Sequence, residues 1–175
     1  MRALWLSLPL ALIGCPLFGG GSGDDPCADD ANNCGNGGAL EIDASCELDD
    51  TLDLQLGQGD GEFQALAPGA TPEFVTGLQG GFHMVLGIGI DNPSEEHLAF
   101  EVQVTLISER DGEMEPIGER TVVYGGSQVG FEAGRAELLD LVVIPDFWPE
   151  EGRRWISVSV TDACGRIGNL DHAID

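Results

Sequence analysis

The sequence predicts an all-β protein, an antiparallel two-sheet sandwich of immunoglobulin-like architecture. Three observations lead there. Short segments alternate apolar and polar residues with a period of two; Gly, Pro, Asn and Asp bound them; and no stretch of ten or more residues repeats with the 3.6 period of a helix. Leu52, Leu54 and Leu56 alternate with Asp53 and Gln55 in the first segment. Phe82, Met84, Leu86, Ile88 and Ile90 then alternate with His83, Val85, Gly87 and Gly89. The cleanest half-buried strand sets Leu98, Phe100, Val102, Val104 and Leu106 against Ala99, Glu101, Gln103 and Thr105. Arg120, Val122 and Tyr124, the run 138–144, and Ile156, Val158 and Val160 complete the set. Turn chemistry separates them at Asp91-Asn92-Pro93, Arg110-Asp111-Gly112, Tyr124-Gly125-Gly126-Ser127, Pro145, Pro149 and 163–165. Seven or eight such strands over residues 39–175 suit a sandwich, and a small closed barrel is the alternative. The Trp and Cys spacing of a true immunoglobulin domain is absent.

The charge balance limits the partners. The chain of 175 residues carries 31 Asp plus Glu against 7 Lys plus Arg, a formal net charge of -24, and every basic residue is Arg. Nucleic-acid affinity rests on clustered Lys and Arg, so nucleic acid is excluded as a partner. Attraction of the protein's own charge to an anionic membrane is disfavoured for the same reason. Gly supplies 26 residues, yet 42% apolar content keeps the chain in the globular range.

The N-terminus carries a compartment signal. Met1-Arg2 precedes an apolar run over 4–13, long enough for a signal-peptide core and too short to span a bilayer. The run ends Leu12-Ile13-Gly14-Cys15, which resembles the lipobox of bacterial lipoproteins. That resemblance implies a signal peptide over 1–14, lipid on Cys15, and a membrane anchor without a spanning helix. Each buried methylene of an acyl chain contributes about 0.8 kcal/mol, so two or more chains hold stably. Pro16 follows the cysteine where an Asp would favour the inner membrane, and the expected location is the outer membrane or cell surface. Residues 15–38 then form an acidic tether rich in Gly, Asp, Asn and Pro, and residues 39–175 form one domain.

With Cys15 assigned to lipid, Cys27, Cys34, Cys46 and Cys164 remain, an even number in an oxidising compartment. Three pairings are open. The preferred one joins Cys27 to Cys34 inside the tether and Cys46 to Cys164, fastening the first segment of the domain to its last strand. Zinc is a weaker alternative for these cysteines, since no CxxC pair occurs. Asp30, Asn32, Cys34, Gly35, Asn36 and Glu41 mimic calcium-loop spacing, but position five is a cysteine and neither flank suits a helix.

Catalytic signatures are sparse, and no cofactor motif is present. Ser127 lacks the nucleophile-elbow spacing because Gly130 falls one place late, and a phosphate loop is impossible without lysine. His83, His97 and His172 share no metal-ligand spacing. The segment Gly77-Leu78-Gln79-Gly80-Gly81-Phe82-His83-Met84, with upstream Leu54-Gln55-Leu56-Gly57-Gln58-Gly59, Phe63, Leu66 and Pro68-Gly69, resembles a pattern in uncharacterised exported lipoproteins of myxobacterial type. The resemblance spans 52–90 and implies an envelope location and a β module without a mechanism. His83 points away from Met84, on a face thinned by Gly87 and Gly89 that leaves room for a ligand or a covering loop. His83 with Gln79 is therefore the candidate ligand or metal site, against a plain structural role for the histidine. In Phe147-Trp148-Pro149, Trp148 is a candidate contact residue, with capping of the core as the competing role. The expected function is a structural or interaction module at the envelope, binding an envelope protein or glycan and not acting as a catalyst. A cation-binding module, for calcium or a soft metal, is the first alternative, and a hydrolase built on carboxylates the second.

Overall fold

The computed structural model describes residues 39–59, 61–76, 81–149 and 151–174. The expected signal segment, Cys15, the tether, the Cys27–Cys34 pair and Gln79 lie outside them. Among the described residues the chain forms ten strands: β1 Leu54–Gln58, β2 Gln64–Ala65, β3 Phe74–Thr76, β4 Phe82–Ile90, β5 Ala99–Arg110, β6 Glu113–Gly125, β7 Val129–Glu132, β8 Arg135–Val143, β9 Arg153–Asp162 and β10 Ile167–Ile174. They make two antiparallel sheets that do not close into a barrel, one ordered β2-β1-β4-β8-β7 and the other β10-β9-β5-β6. Strand β3 pairs with β4 at Phe82–Met84, beyond the stretch that β1 occupies. The order β1-β4-β8-β7 facing β5-β9-β10 is that of the immunoglobulin-like ABED and CFG sheets, with β6 added beside β5.

Inward rows of alternate residues fill the space between the sheets. Met84, Leu86, Ile88 and Ile90 of β4 face Phe100, Val102, Val104 and Leu106 of β5, all essentially without exposure. Burying a side chain of this size contributes about 1.5–3 kcal/mol. Ile156, Val158 and Val160 of β9 extend the same layer. Gly168 of β10 lets the Leu52–Leu54 backbone pass close by, since a Cβ there would sit 2.7 Å from the Leu52 carbonyl oxygen. That close passage brings β1 and β10 together along one side of the sandwich.

Two bulges break the alternation. On β8 the register against β4 shifts between Leu86 and Ile88, so Ala136 and Leu138 face inward on one side of the bulge and Leu141 and Val143 on the other. Asp140, in the bulge, takes φ of 59. On β6 the register slips at Leu106/Ile107, which puts both Ile117 and Gly118 inside. Tight hairpins at Asp111-Gly112 (φ 55 and 84) and Ala133-Gly134 (φ 53 and 81) have both central residues left-handed, the turn geometry that matches strand twist.

The β8 bulge is closed by the chain's single tyrosine. Tyr124 reaches from the facing sheet and donates its hydroxyl to the Leu139 carbonyl at 3.1 Å. Burial pushes the phenol up to about 12, with the Asp140 carboxylate adding to the rise and Arg120 opposing it. A raised phenol stabilises the fold fully below the ordinary value of about 10 and loses that contribution as pH climbs toward 12. Because Tyr124 is the only tyrosine, ultraviolet titration of tyrosinate reads this group alone. The expected midpoint is well above 10 in the folded protein and returns to about 10 in denaturant.

Candidate functional site

The sandwich has two unlike ends. One gathers the start of β1, the β4–β5 loop and the β9–β10 turn, and there the segment from residue 39 joins the domain. Asp43 N–H donates to the Ala163 carbonyl at 2.7 Å, and Cys46 is disulfide-bonded to Cys164 across a separation of 118 residues. Cys164 lies in the turn before β10, so the staple reaches that turn and not the last strand itself.

Asp162 organises this end from full burial. Its Oδ1 accepts the backbone N–H of Cys164 at 3.0 Å and of Arg166 at 2.9 Å, and its Oδ2 accepts Arg166 Nε at 2.8 Å. Arg166 Nη2 also lies 2.8 Å from Oδ2 but off the line of a hydrogen bond, so it adds charge contact only. Arg166 Nη1 donates to Asp50 Oδ1 at 3.0 Å. Burial alone would lower the guanidinium, but its hydrogen bonds to Asp162 and Asp50 outweigh that and raise it. The hydrogen bond from Arg166 in turn holds the Asp50 carboxyl below the ordinary range. Asn92, in the turn the sequence marked, donates Nδ2 to Asp50 and to the Thr51 carbonyl and accepts the Asp53 N–H. Three chain segments are thereby locked to one buried ion pair.

On the outer face of the β1-containing sheet, His83 is half-buried and sits opposite Val75 of β3. Gln79 is outside the described residues, so the expected pair is not seen together. The glycine face is covered. The Phe63 ring lies over Gly87, where a Cβ would come 3.1 Å from it, and the Arg135 guanidinium lies over Gly89. Arg135 is fixed there by Asp91, by Gln55 Oε1 at 2.7 Å, and by the Phe63 ring at 4.8 Å. Phe63, from the segment between β1 and β2, and Arg135, from the start of β8, fill the space above these two glycines.

The opposite end carries the β5–β6 turn and the loop from β8 to β9. Trp148 packs edge-on against Phe74 at 4.7 Å, and Phe74 against Phe82 at 5.5 Å, closing the core at this end. The Arg154 guanidinium also lies over the indole, 5.0 Å from its centroid. Its neighbour Phe147 is 46% exposed, so capping and exposure are divided between the two aromatics. Beside Phe147 an open groove of about 580 Å³ is lined by Glu109, Asp111, Glu115 and Glu151 with Arg110.

Among the described residues, Cys46, His97 and Cys164 are the one group of three side chains with metal-ligand atoms mutually close, within 4.8 Å. No local spacing signals this group. His97 enters it because the β4–β5 loop folds against the β9–β10 turn. No protein-family model matches the chain, and no curated protein does either.

Proposed function

We propose that the protein is a lipid-anchored component of the cell envelope, held through Cys15, whose disulfide-stapled sandwich acts as a structural or interaction module. The observation that carries this reading is the opposition of the two ends. The segment leading from the tether is fastened where Cys46 meets Cys164, and the β5–β6 turn and the loop bearing Phe147 lie at the other end. Lipid on Cys15 would therefore present the Phe147 end away from the membrane. The composition of residues 15–38 is the expectation for a tether, and a coil of that many residues spans roughly 25 to 30 Å, enough to clear the headgroups. The lipobox resemblance supports the anchor, and Pro16 after the cysteine favours the outer membrane. No helix among the described residues is long and apolar enough to cross a membrane.

The partner in this reading is an envelope protein or glycan meeting the Phe147 end. Exposed aromatics and arginine are enriched at contact surfaces, and Phe147 shares its groove with Arg110. A photoreactive residue placed at Phe147 in the full chain is expected to give a discrete adduct in intact cells, and the same probe at Ile42 none. Equal labelling at both positions, or none at Phe147, contradicts the assignment. A second reading, a cation-binding module, is favoured by the four carboxylates lining the groove at that end. Calorimetry with calcium distinguishes it, since binding there predicts uptake lost in Glu109→Gln/Glu151→Gln.

A further inference from the structure

We propose that Cys46, Cys164 and His97 form a site for a thiophilic divalent cation, zinc in the first instance, when the Cys46–Cys164 bond is reduced. The two sulfurs and a ring nitrogen of His97 already lie within 4.8 Å of one another. Tetrahedral zinc, with thiolates at about 2.3 Å and imidazole at about 2.0–2.1 Å, needs its ligand atoms about 3.5 to 3.8 Å apart. Once the sulfurs are released from one another, side-chain rotation suffices to reach that spacing.

Each ligand is held by contacts that do not depend on the S–S bond. Cys164 N–H donates to Asp162 Oδ1 at 3.0 Å, Cys46 N–H to the Asp43 carbonyl at 3.2 Å, and His97 N–H to the Ser94 carbonyl at 3.1 Å. Asp43 Oδ2 lies 3.5 Å from His97 Nε2. A carboxylate beside a ring nitrogen is the arrangement found behind metal-bound histidines. The cluster opens into a concavity of about 450 Å³ that Glu47 and Glu96 also line, giving a reductant and a cation a way in.

The chemistry balances with an external dithiol as reductant. Two electrons and two protons pass to Cys46 and Cys164 as their S–S bond breaks, and the external dithiol leaves as a disulfide. Zinc then displaces the two thiol protons, forming two Zn–S bonds and one bond to His97, with water in the fourth position. The disulfide and the metal form are mutually exclusive, so this end of the domain would be fastened by one or the other.

The test uses the full chain with Cys15→Ser, Cys27→Ser and Cys34→Ser, reduced anaerobically with a phosphine and titrated with Co²⁺. One equivalent is expected, with a thiolate-to-cobalt charge-transfer band that Zn²⁺ abolishes and that the oxidised protein never shows. Asp43→Asn is expected to weaken binding about 10- to 100-fold, and His97→Ala by more. Zn²⁺ should also raise the melting temperature of the reduced protein and leave that of the oxidised protein unchanged. Absence of the band, equal affinity in His97→Ala, or a melting temperature of the reduced protein indifferent to Zn²⁺ each overturns the proposal.

Discussion

Asp162→Ala is expected to lower the unfolding free energy by roughly 3–5 kcal/mol, the cost of removing one partner from a buried ion pair. Asp162 is wholly buried and the Arg166 side chain is 4% exposed, so the guanidinium left behind cannot turn to water. Asp50 alone would face it, from an exposed position. The substitution also strips the acceptor from two backbone N–H groups, those of Cys164 and Arg166. Domains of this size are stable by about 5–15 kcal/mol, so the variant sits near the edge of folding. Urea unfolding reads the effect as a midpoint lowered by about 1.5–2.5 M for m-values near 2 kcal/mol/M. Asp162→Ala/Arg166→Leu should lose less than Asp162→Ala alone, because no unpaired charge is then buried. A double variant as unstable as the sum of its parts would show that the two residues act separately.

Removing the staple with Cys46→Ser/Cys164→Ser is expected to cost about 4 to 5 kcal/mol. The chain-entropy estimate for a loop of this length gives that figure, against a general range of about 2–5 kcal/mol for native disulfides. The loop it closes spans 118 residues and contains nine of the ten strands. Local order should survive in part, because Asp162 and Asp43 hold the β9–β10 turn and the incoming segment through hydrogen bonds of their own. The two losses are consequently coupled. With Asp162→Ala added, the staple should count for a different amount than it does in the intact domain, since both fix the backbone at Cys164. Thermal melts of the four proteins in the cycle measure this directly.

The strands most legible in the sequence are those whose inward row is unbroken. Phe100, Val102, Val104 and Leu106 face the core as their alternation implies, and so do Met84, Leu86, Ile88 and Ile90. The sequence is less informative where a bulge changes parity. The first half of β6 hides because Pro116 and Gly118 interrupt it and Ile117 is buried out of step with Tyr124. Strand β10 hides for another reason. Its inward row is Gly168, Leu170, His172 and Ile174, and only two of these are apolar side chains. His172 earns its inward place by bonding the Ala70 carbonyl at 2.7 Å, a contact 102 residues away in sequence.

The same distinction governs the candidate site. The Cys46–Cys164 pairing belongs to the set preferred from the sequence, although cysteine counting alone leaves two other sets open. The Asp162–Arg166 knot was not, because one Asp among so many carboxylates carries no signal until its burial is known. His97 likewise joins the cysteines only through the folding of two loops. Gly87 and Gly89 did mark a face stripped of bulk, and Phe63 and Arg135 supply what covers it.

The proposed lipid anchor on Cys15 is tested most directly by the mass of the mature N-terminus. Protein recovered from cell membranes is expected to begin at Cys15 with diacylglycerol on its sulfur, and Cys15→Ser should release the domain to the soluble fraction. A mature chain that begins after Leu17 and carries no lipid, or a Cys15→Ser protein that stays with the membrane, would contradict the account.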